Sequence, residues 1–450
     1  MLDIKAKISK MKILKSRWFF IGLVLKLVCS FFFSGVYLRE YFVPFITYFV
    51  DSGFSNPYKH FLESGVSEAF PYPSGMLWLL SIPFIILGTK SFLAFFIIRI
   101  PLLIADTVIL VLLTRLLKGK EKKVLLLYWL SPVLFYITYI HGQLDVLPIM
   151  LLFLSFYFLF KKKILLASVI LGVALTTKTN ILLVIPFFLI YLYTNNKEKS
   201  LTNILFSIIL IPCTFLLIDI PFLNNSDFFE MVFNNKEQIK LWNFSINYND
   251  NLFLFIIPFI YIILLARASR YEHLSKDLFI MFIGFVFSLL LLFIAPKQGW
   301  YFWVLPFLIY FYIKENKLPT FPLVALQGAY LLYFLVSKDS DYFSLLNSNE
   351  TVSFSIFSYL ESQNFNAQRL VNLSFTLLQA LLFINIYWIY KRGVSKSLVA
   401  RIKNAPCLIG VGGDSGAGKS TLTKSLEKLF STGNITVIRG DDMHKWERGH

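Results

Sequence analysis

Charged residues are scarce in this 450-residue sequence, at 15% of the total against 57% for hydrophobic residues. A soluble globular chain carries nearer a quarter of its residues as charges, so this composition excludes an ordinary soluble protein and predicts a membrane protein. Cysteine is also rare. The three cysteines, Cys29, Cys213 and Cys407, lie far apart in the sequence, and this spacing indicates neither a disulfide framework nor a zinc site.

Acidic residues are also few, with 26 Asp and Glu against 43 Lys and Arg, which gives a net charge of +17. The basic residues do not form one patch of the kind that binds nucleic acid. They flank the first and last long apolar segments, at 5–17 and 391–403, as the positive-inside rule predicts. We therefore expect a multi-pass protein of the plasma membrane with both termini in the cytoplasm and no nucleic-acid partner, while the oligomeric state stays open.

Long apolar segments predict a polytopic α-helical membrane protein with about twelve spans, each of about 20 residues. The clearest candidates are 17–37, 72–88, 124–140, 201–222, 251–266, 277–295, 321–337 and 367–390. Shorter or interrupted candidates are 91–115, 146–160, 164–193 and 300–313. The distribution of basic residues places the loops 38–71, 223–250, 295–300 and 338–366 outside.

Two apolar segments need a break before all the basic loops can share the inner face. The run Lys161–Lys163 lies inside only if the segment 164–193 is a pair of short helices broken near Lys178. The basic loop 115–123 needs a similar break near Arg99. Broken helices occur at membrane depth where the backbone lines a cavity.

The chain changes character near residue 391, where charge rises and the apolar runs shorten. We therefore divide it into a basic cytosolic N-terminus at 1–16, a membrane domain at 17–390 with an outer loop at 38–71, a basic linker at 391–404, and the start of a second domain at 405–450.

Ionisable side chains inside apolar segments mark candidate sites, because each costs about 2.5–3.5 kcal/mol on insertion scales. The candidates are Arg99, Asp106, His141, Asp145, Lys178 and Lys297. The stretch "HGQLDVLP" (141–148) and the stretch "KQGWYFWVLP" (297–306) are both predicted at the outer face. Carboxylates accept hydrogen bonds from sugar hydroxyls, lysine offsets phosphate charge and aromatic rings stack on sugars, so the pattern favours a sugar and phosphate site.

Several short motifs follow one another in a recognisable order. An acidic residue, Glu40, precedes "NPY" (56–58) and "YP" (72–73) in the first outer loop. Further along come "RIPLLIADTVILVLLTRLL" (99–117), "HGQLDVLP", "TTKTNILLVIP" (176–186) and "KQGWYFWVLPF" (297–307). Together they resemble the polytopic GT-C glycosyltransferases, with the GPI mannosyltransferase catalytic subunits and their bacterial relatives as the closest likeness. The resemblance covers most of residues 17–315.

This resemblance implies a glycosyltransferase that moves a hexose, mannose for example, from a polyprenyl-phosphate donor to an acceptor on the outer face, with inversion. It implies a general base on the first outer loop, which takes the acceptor proton. Spacing points to Glu40, but the usual Asp-x-Asp is here Leu38-Arg39-Glu40, so Asp51 remains the alternative. The implied substrate-binding residues are Tyr58, Arg99, His141, Gln143, Asp145, Lys178, Lys297 and Tyr301.

A transporter or lipid flippase is the alternative for the membrane domain, because it would also contain broken helices and intramembrane charge. The long polar outer loop at 38–71 favours the transferase, since a transporter does not require it.

The second domain begins with a phosphate-binding loop. Gly413, Gly418, Lys419 and Ser420 meet the pattern G-x-x-x-x-G-K-[ST], with a predicted strand "CLIGV" before it and a predicted helix "STLTKSLEKLF" (420–430) after it. Backbone N–H groups of such a loop cradle phosphates at a helix N-terminus. The predicted ATP-binding residues are Gly413, Asp414, Ser415, Gly416, Ala417, Gly418, Lys419, Ser420 and Thr421, with Ser420 also on Mg²⁺.

The stretch "NITVIRGDDMHKWERGH" (434–450) resembles the second strand and acidic loop of the uridine kinase and phosphoribulokinase family. That resemblance implies Asp441 as the catalytic residue that activates the acceptor hydroxyl. Because such kinases need about 200 residues, the size of one domain, we expect the chain to end inside a truncated α/β P-loop NTPase domain. Two alternatives stay open: a transporter with an attached nucleotide-binding domain, and a membrane-anchored small-molecule kinase.

Overall fold

The computed structural model describes residues 13–195, 200–249, 251–315, 318–337, 344–345, 356–395, 409–429 and 436–438. The chain forms two compact units, Met1–Ser397 and Leu398–His450. The division lies within the stretch predicted as a linker.

The first half of the first unit is almost entirely helical, as its long apolar segments predict. Its α-helices are α1 Arg17–Phe32, α2 Val43–Asp51, α3 Pro57–Glu63, α4 Ser74–Leu87, α5 Ser91–Ile97, α6 Arg99–Leu116, α7 Glu121–Val124, α8 Pro132–Phe135, α9 Val146–Phe160, α10 Ile164–Leu175 and α11 Ile185–Asn195. π-helical turns at Tyr37–Phe42, Leu125–Trp129 and Tyr136–Ile140 continue into or out of these helices, and a 3₁₀ helix at Thr179–Val184 precedes α11.

The second half of this unit continues the pattern. Its helices are α12 Ser200–Leu223, α13 Ser226–Phe233, α14 Lys236–Asn243, α15 Ile256–Ser269, α16 Lys276–Phe293, α17 Leu305–Lys314, α18 Phe321–Val336, α19 Ile356–Ser362 and α20 Ala367–Ser395, with a 3₁₀ helix at Gln298–Trp303. Two short antiparallel pairs complete it: β1 Phe33–Ser34 with β4 Ser344–Leu345, and β2 Ser245–Asn249 with β3 Leu252–Phe255.

Helices long and apolar enough to cross a membrane number four in the described part of the chain. They are Leu93–Leu116, Leu201–Leu223, Lys276–Phe293 and Ala367–Arg392. Glu121–Trp129 and Pro132–Ile140 form a pair bent by 49°, which makes a fifth span if it is counted as one. Six further apolar helices have 10–17 residues, so the predicted number of twelve spans stays a prediction.

Burial separates the central helices from the outer ones. The Lys276–Phe293 helix is 72% buried, whereas the Leu201–Leu223 helix is 11% buried and exposes leucine, isoleucine and phenylalanine side chains. Apolar side chains on the outside of such a helix suit contact with lipid, because hydrocarbon tails accept them without cost. The polar groups described below lie at the ends of the central helices.

The segment predicted as a broken pair of short helices has that form. α10 ends at Leu175, and Lys178 has an extended backbone (φ −161°, ψ 128°) before the 3₁₀ helix and α11 return the chain. At the return, Asn195 Nδ2 donates to the Leu274 carbonyl at 2.9 Å, and the Tyr191 ring lies 5.7 Å from Phe160. Both ends of the segment therefore meet the same set of loops.

The break predicted near Arg99 is a short interruption without a sharp bend, because α5 ends at Ile97 and α6 begins at Arg99 while Leu93–Leu116 still counts as one span of 24 residues. The preceding helix α4 has only 14 residues, about 21 Å at 1.5 Å per residue and short of a 30 Å hydrocarbon core. Just beyond its end, the Thr89 hydroxyl donates to Asp51 of the first loop at 2.8 Å. The segment 72–88 therefore returns to the first loop, and no break at Arg99 is needed.

Candidate active site

A buried ion pair lies at the break in the 164–195 segment. Asp145 stands immediately before α9, and its Oδ1 accepts from Lys178 Nζ and, at 2.6 Å, from Trp303 Nε1. The Asp145 and Lys178 side chains are 1% and 14% exposed respectively. Asp145 Oδ2 has no hydrogen-bond partner among the described residues. One oxygen of a neutralised carboxylate thus keeps an unused position for a hydrogen-bond donor.

The turn that carries Trp303 sits directly on this carboxylate. A Cβ on Gly299 would lie 2.2 Å from Asp145 Oδ2 and 3.1 Å from the Gln143 side chain. Such a contact is far inside van der Waals distance, so only glycine lets the 3₁₀ helix approach this closely. The close approach explains why "KQGW" has glycine at this position.

Aromatic rings line the pair. Lys178 Nζ lies 4.7 Å from the centroid of the Trp303 ring and 5.1 Å from that of Tyr72, which are cation–π distances. Trp300 stacks on Trp303 with centroids 5.0 Å apart. The lysine charge is therefore held between a carboxylate and two ring faces, and rings of this kind are surfaces on which a sugar can stack.

His141 and Gln143 occupy the turn between the bent pair of helices and α9. Gln143 Nε2 lies 3.0 Å from His141 Nδ1. Burial and then the nearby charge of Lys297 lower the pKa of His141 from 6.5 to about 3. With Gln143 donating to Nδ1, the neutral ring carries its proton on Nε2, so His141 acts as a polar group without charge.

The two carboxylates proposed for the base lie at opposite ends of one helical stretch. Glu40 is exposed on the π-helical turn Tyr37–Phe42. Tyr37 of this turn has its ring 6.2 Å from that of His141, and the turn packs on Gly142. Asp51 comes eleven residues later, about 16 Å along the helix. Of the two carboxylates, Glu40 is the one whose turn contacts the residues beside Asp145.

Arg39 directly precedes Glu40 in the sequence. It occupies the middle position of the acidic motif in the resembled family. Its side chain is half-buried, and its Nη1 has no hydrogen-bond partner among the described residues. A buried guanidinium nitrogen without a partner has lost its water without compensation. It is therefore a candidate contact for an anionic ligand, and the sequence reasoning missed it.

Tyr58 does not fit its predicted role as a substrate-binding residue. It is fully buried, its hydroxyl donates to the Tyr72 carbonyl at 2.8 Å, and its ring packs on Phe228 at 5.0 Å. Because its hydroxyl is already bonded to the backbone, Tyr58 offers a ligand no free polar group in this structure. Tyr58 instead supports the segment that carries Tyr72.

Arg99 is engaged with the backbone. Its guanidinium donates to the carbonyls of Ser30 at 2.7 Å and Phe33 at 2.5 Å, where α1 ends. Carbonyls at a helix C-terminus lack intrahelical partners, so a cation is favoured there. No described contact joins Arg99 to Asp145 or Lys178, and its predicted part in substrate binding stays a prediction.

Lys297 and Tyr301 lie beside the Asp145–Lys178 pair and its aromatic rings. Lys297 is half-exposed, with its Nζ 3.9 Å from Glu237 Oε1. Tyr301 is buried beside Tyr330, with ring centroids 5.1 Å apart, and its hydroxyl has no partner within the described ranges. The outer segments predicted to share one face thus meet here, including the 223–250 segment through Glu237.

A second buried ion pair contains one residue that the sequence predicted as a candidate and one that it did not. Lys26 Nζ lies 2.6 Å from Asp106 Oδ2, which also accepts from the Tyr139 hydroxyl at 2.7 Å. The lysine lies 3.1 Å from the centroid of the Trp129 ring. Asp106 is a candidate from sequence, whereas Lys26 lies inside an apolar run whose partner is 80 residues away. The only local signal for Lys26 is the charge itself.

The predicted phosphate-binding loop, 413–421, belongs to the other unit. Gly416 and Gly418 have φ of 85° and 77°, and α21, Lys419–Leu429, begins directly after them. Lys419 Nζ donates to the carbonyls of Gly413 and Asp414, both at 2.6 Å. The loop thus has the left-handed glycines and helix start that its motif predicts.

The strand predicted before this loop is not found in the residues described, 409–413. A parallel strand forms only when neighbouring strands pair with it, and within the described residues of this unit no strand is present to do so. Residues 405–408 and the predicted catalytic residue Asp441 lie outside the described residues.

One comparison with known proteins gives a result for the chain. The family model for glycosyltransferase family 87 matches residues 70–298. This range is half of the chain and contains Asp145, Lys178 and Lys297, while Glu40 and the phosphate-binding loop lie outside it. No curated protein matches the chain.

Proposed function

Because the chain belongs to glycosyltransferase family 87, and is thus a membrane glycosyltransferase, we propose that it moves a hexose from a polyprenyl-phosphate donor to an acceptor hydroxyl. The family membership favours the transferase over the transporter or flippase. The donor, with mannose as the first sugar to test, is a proposal, and so are the plasma membrane location and the outer face. The likeness to GPI mannosyltransferases also stays a prediction, because the matched family is a different one.

The observation that carries the proposal is the buried Asp145–Lys178 pair beside the turn of Glu40. Asp145 Oδ2 has no partner within the described ranges, which supports it as the proposed acceptor for a sugar hydroxyl once the Gly299 turn that covers it moves aside. Trp303 and Tyr72 offer ring faces within 5.1 Å of the Lys178 ammonium. Such a site holds a neutral sugar by hydrogen bonds and stacking rather than by net charge.

The proposed reaction is an inverting displacement at the anomeric carbon. The acceptor oxygen attacks the anomeric carbon, and its proton passes to Glu40 as the new glycosidic bond forms. The bond from the anomeric carbon to the donor phosphate oxygen breaks, and polyprenyl phosphate leaves with the electron pair. Attack on the face opposite the leaving group inverts the anomeric configuration.

Two cations besides Lys178 are candidates for the contact with the leaving phosphate. Arg39 presents a buried Nη1 without a partner in the described part of the chain, and Lys297 is half-exposed beside the cluster. Lys178 is already neutralised by Asp145. We assign the phosphate contact to Arg39, because Lys297 also has a carboxylate nearby, Glu237 Oε1 at 3.9 Å, and a cation beside a carboxylate attracts an added anion less strongly.

The test is donor consumption by the full chain in proteoliposomes, with radiolabelled polyprenyl-phosphate mannose and glucose. Glu40→Gln keeps the size and removes the base, so we expect turnover to fall by about 10²–10⁴-fold. Asp51→Asn is the matched control, because Asp51 is bonded to Thr89 at the far end of the helix. Loss of turnover in Asp51→Asn alone would transfer the base to Asp51. If neither donor is consumed by the wild-type chain, the proposed donor is wrong.

A second proposal concerns the phosphate-binding loop, which we propose binds ATP with Mg²⁺. The support is the loop itself, with two left-handed glycines and Lys419 folded over it. Ser420 lies at the helix start, exposed, where its hydroxyl can reach a metal ion. A kinase reaction through Asp441 and a uridine kinase-like substrate remain further proposals.

Binding of a fluorescent ATP analogue to the purified full chain tests this loop. Lys419→Ala removes the lysine that is folded onto the loop carbonyls, so we expect binding to be lost. Lys424→Ala, at an exposed lysine on the same helix, should bind as the wild type does. Equal binding by all three proteins would contradict a phosphate site at this loop.

A further inference from the structure

A large cavity opens at the end of the membrane unit opposite the candidate active site. It has a volume of about 1050 Å³. Basic residues form much of its lining: Arg115, Lys118, Lys161, Lys162, Lys276 and Lys314. Helix α9 connects the two ends, since it follows Asp145 and ends at Phe160 in the cavity wall. Its 15 residues span about 22 Å.

The positive-inside rule explains basic residues in loops but does not explain their convergence on one cavity. The lining comes from five separate stretches, at 115–120, 157–164, 191–195, 273–277 and 310–314. Lys120 Nζ joins two of them by donating to the carbonyls of Ile313 at 2.8 Å and Lys314 at 2.6 Å. The fold therefore gathers these charges at one place instead of spreading them over the face.

Most of this charge is uncompensated. Among the described residues of the lining, Asp277 is the one acidic side chain, and it is already bonded to Lys314 at 2.5 Å and to the Tyr310 hydroxyl at 2.7 Å. Within the part of the chain that the structure describes, Arg115, Lys161 and Lys276 form no ion pair. Like charges so close together repel one another, so the arrangement favours a bound anion.

Apolar groups form the rest of the wall. Leu116, Leu159 and Leu192 line the cavity, and Arg115 lies over the Tyr157 ring at 5.3 Å from its centroid. The Arg115 Nε atom is buried and has no hydrogen-bond partner among the described residues. The cavity therefore combines an apolar wall with unpaired donors, a pattern that matches a ligand with both a hydrocarbon part and an anionic head.

We propose that this cavity binds the phosphate headgroup of an anionic phospholipid. Its position at the ends of the spans is where headgroups lie, and basic pockets between membrane helices bind such groups. The site is separate from sugar transfer, so it stands or falls independently of the proposed function.

Native mass spectrometry of the purified full chain, titrated with phosphatidylglycerol or phosphatidylcholine, tests the proposal. Lys161→Gln/Lys162→Gln removes two charges from the cavity, and we expect phosphatidylglycerol affinity to fall by about 10–30-fold with little change for phosphatidylcholine. The matched control is Lys122→Gln/Lys123→Gln, which removes two exposed charges near the same face but outside the lining. Lys276→Gln provides a second cavity variant from another segment.

A selective loss in both cavity variants, with the control unchanged, supports the site. An equal loss in the control overturns it, because diffuse attraction to the face would then account for binding. Displacement of the lipid by millimolar inorganic phosphate or ATP also overturns it and assigns the cavity to a soluble phosphate compound. Thermal unfolding of each variant in neutral detergent confirms that the variants are folded.

Discussion

The two ends of the membrane unit treat charge in opposite ways. At the candidate active site, Asp145 and Lys178 are buried and paired, with aromatic rings around them. At the other end, basic residues from four of the five lining stretches surround a cavity and are mostly unpaired among the described residues. A buried charge needs a partner because desolvation is costly, whereas a charge at an open helix end keeps its water. The difference favours a neutral sugar at the Asp145–Lys178 pair and, as we propose, an anionic headgroup in the cavity.

The largest effect is expected from breaking the buried pair at the candidate active site. Lys178→Met leaves the Asp145 carboxylate buried without its cation, which should lower the free energy of unfolding by about 3–5 kcal/mol. Lys178→Met/Asp145→Leu should restore most of that stability but not turnover, because the hydrogen-bond acceptor for the sugar is gone. Thermal unfolding and donor consumption, measured on the same preparations, separate the two effects. Turnover in the double variant near the wild-type level would show that the pair is not part of the site.

The Lys26–Asp106 pair provides a second test, because it is equally buried but does not belong to the group of aromatic residues around Lys178. Either single neutral substitution should destabilise the chain by about 3–5 kcal/mol. Lys26→Met/Asp106→Asn should recover stability, since the amide oxygen introduced by the second substitution can still accept from the Tyr139 hydroxyl, and turnover should remain. If the recovered double variant is inactive, this pair also belongs to the catalytic machinery.

Part of this arrangement was predictable because basic loops must share one face of the membrane. That requirement alone predicted the broken helices around Lys178, and it brought His141, Asp145 and Lys297 to the same end. The sequence could not pair Lys26 with Asp106, because neither apolar run shows which helix it will contact. It also could not choose between Glu40 and Asp51, since the choice depends on the direction of one helix after a π-helical turn.

Two other expectations depended on features that only the fold shows. The segment 72–88 is apolar enough for a span, but its helix has 14 residues and ends next to Asp51. Hydropathy measures composition and cannot detect such a return. Tyr58 was predicted from its position in a family motif, which carries no information on side-chain exposure. Its full burial was visible only in the fold.

A smaller effect is expected at Gly299, where the active-site end depends on close packing. Gly299→Ala places a methyl group 2.2 Å from Asp145 Oδ2, so the turn or the carboxylate must move. We expect a loss of about 1–3 kcal/mol in unfolding free energy and reduced turnover. The control is Gly328→Ala in α18, where a Cβ meets nothing within 4 Å and a helical alanine should stabilise by about 1 kcal/mol. Equal effects at the two glycines would contradict the tight contact at Asp145.

The smallest effect is expected at His141. The pH dependence of stability there tests whether the active-site end excludes water. The pKa of His141 is lowered from 6.5 to about 3 in the folded chain, so the unfolded chain binds more protons between these values. The free energy of unfolding should therefore be highest above pH 6.5 and decrease below it, by about 1 kcal/mol between pH 7.5 and 5.5. His141→Gln should remove this part of the pH dependence, whereas the exposed His60→Gln should keep it. An unchanged slope in His141→Gln would mean that the imidazole is hydrated, and that the active-site end is as open to water as the basic cavity.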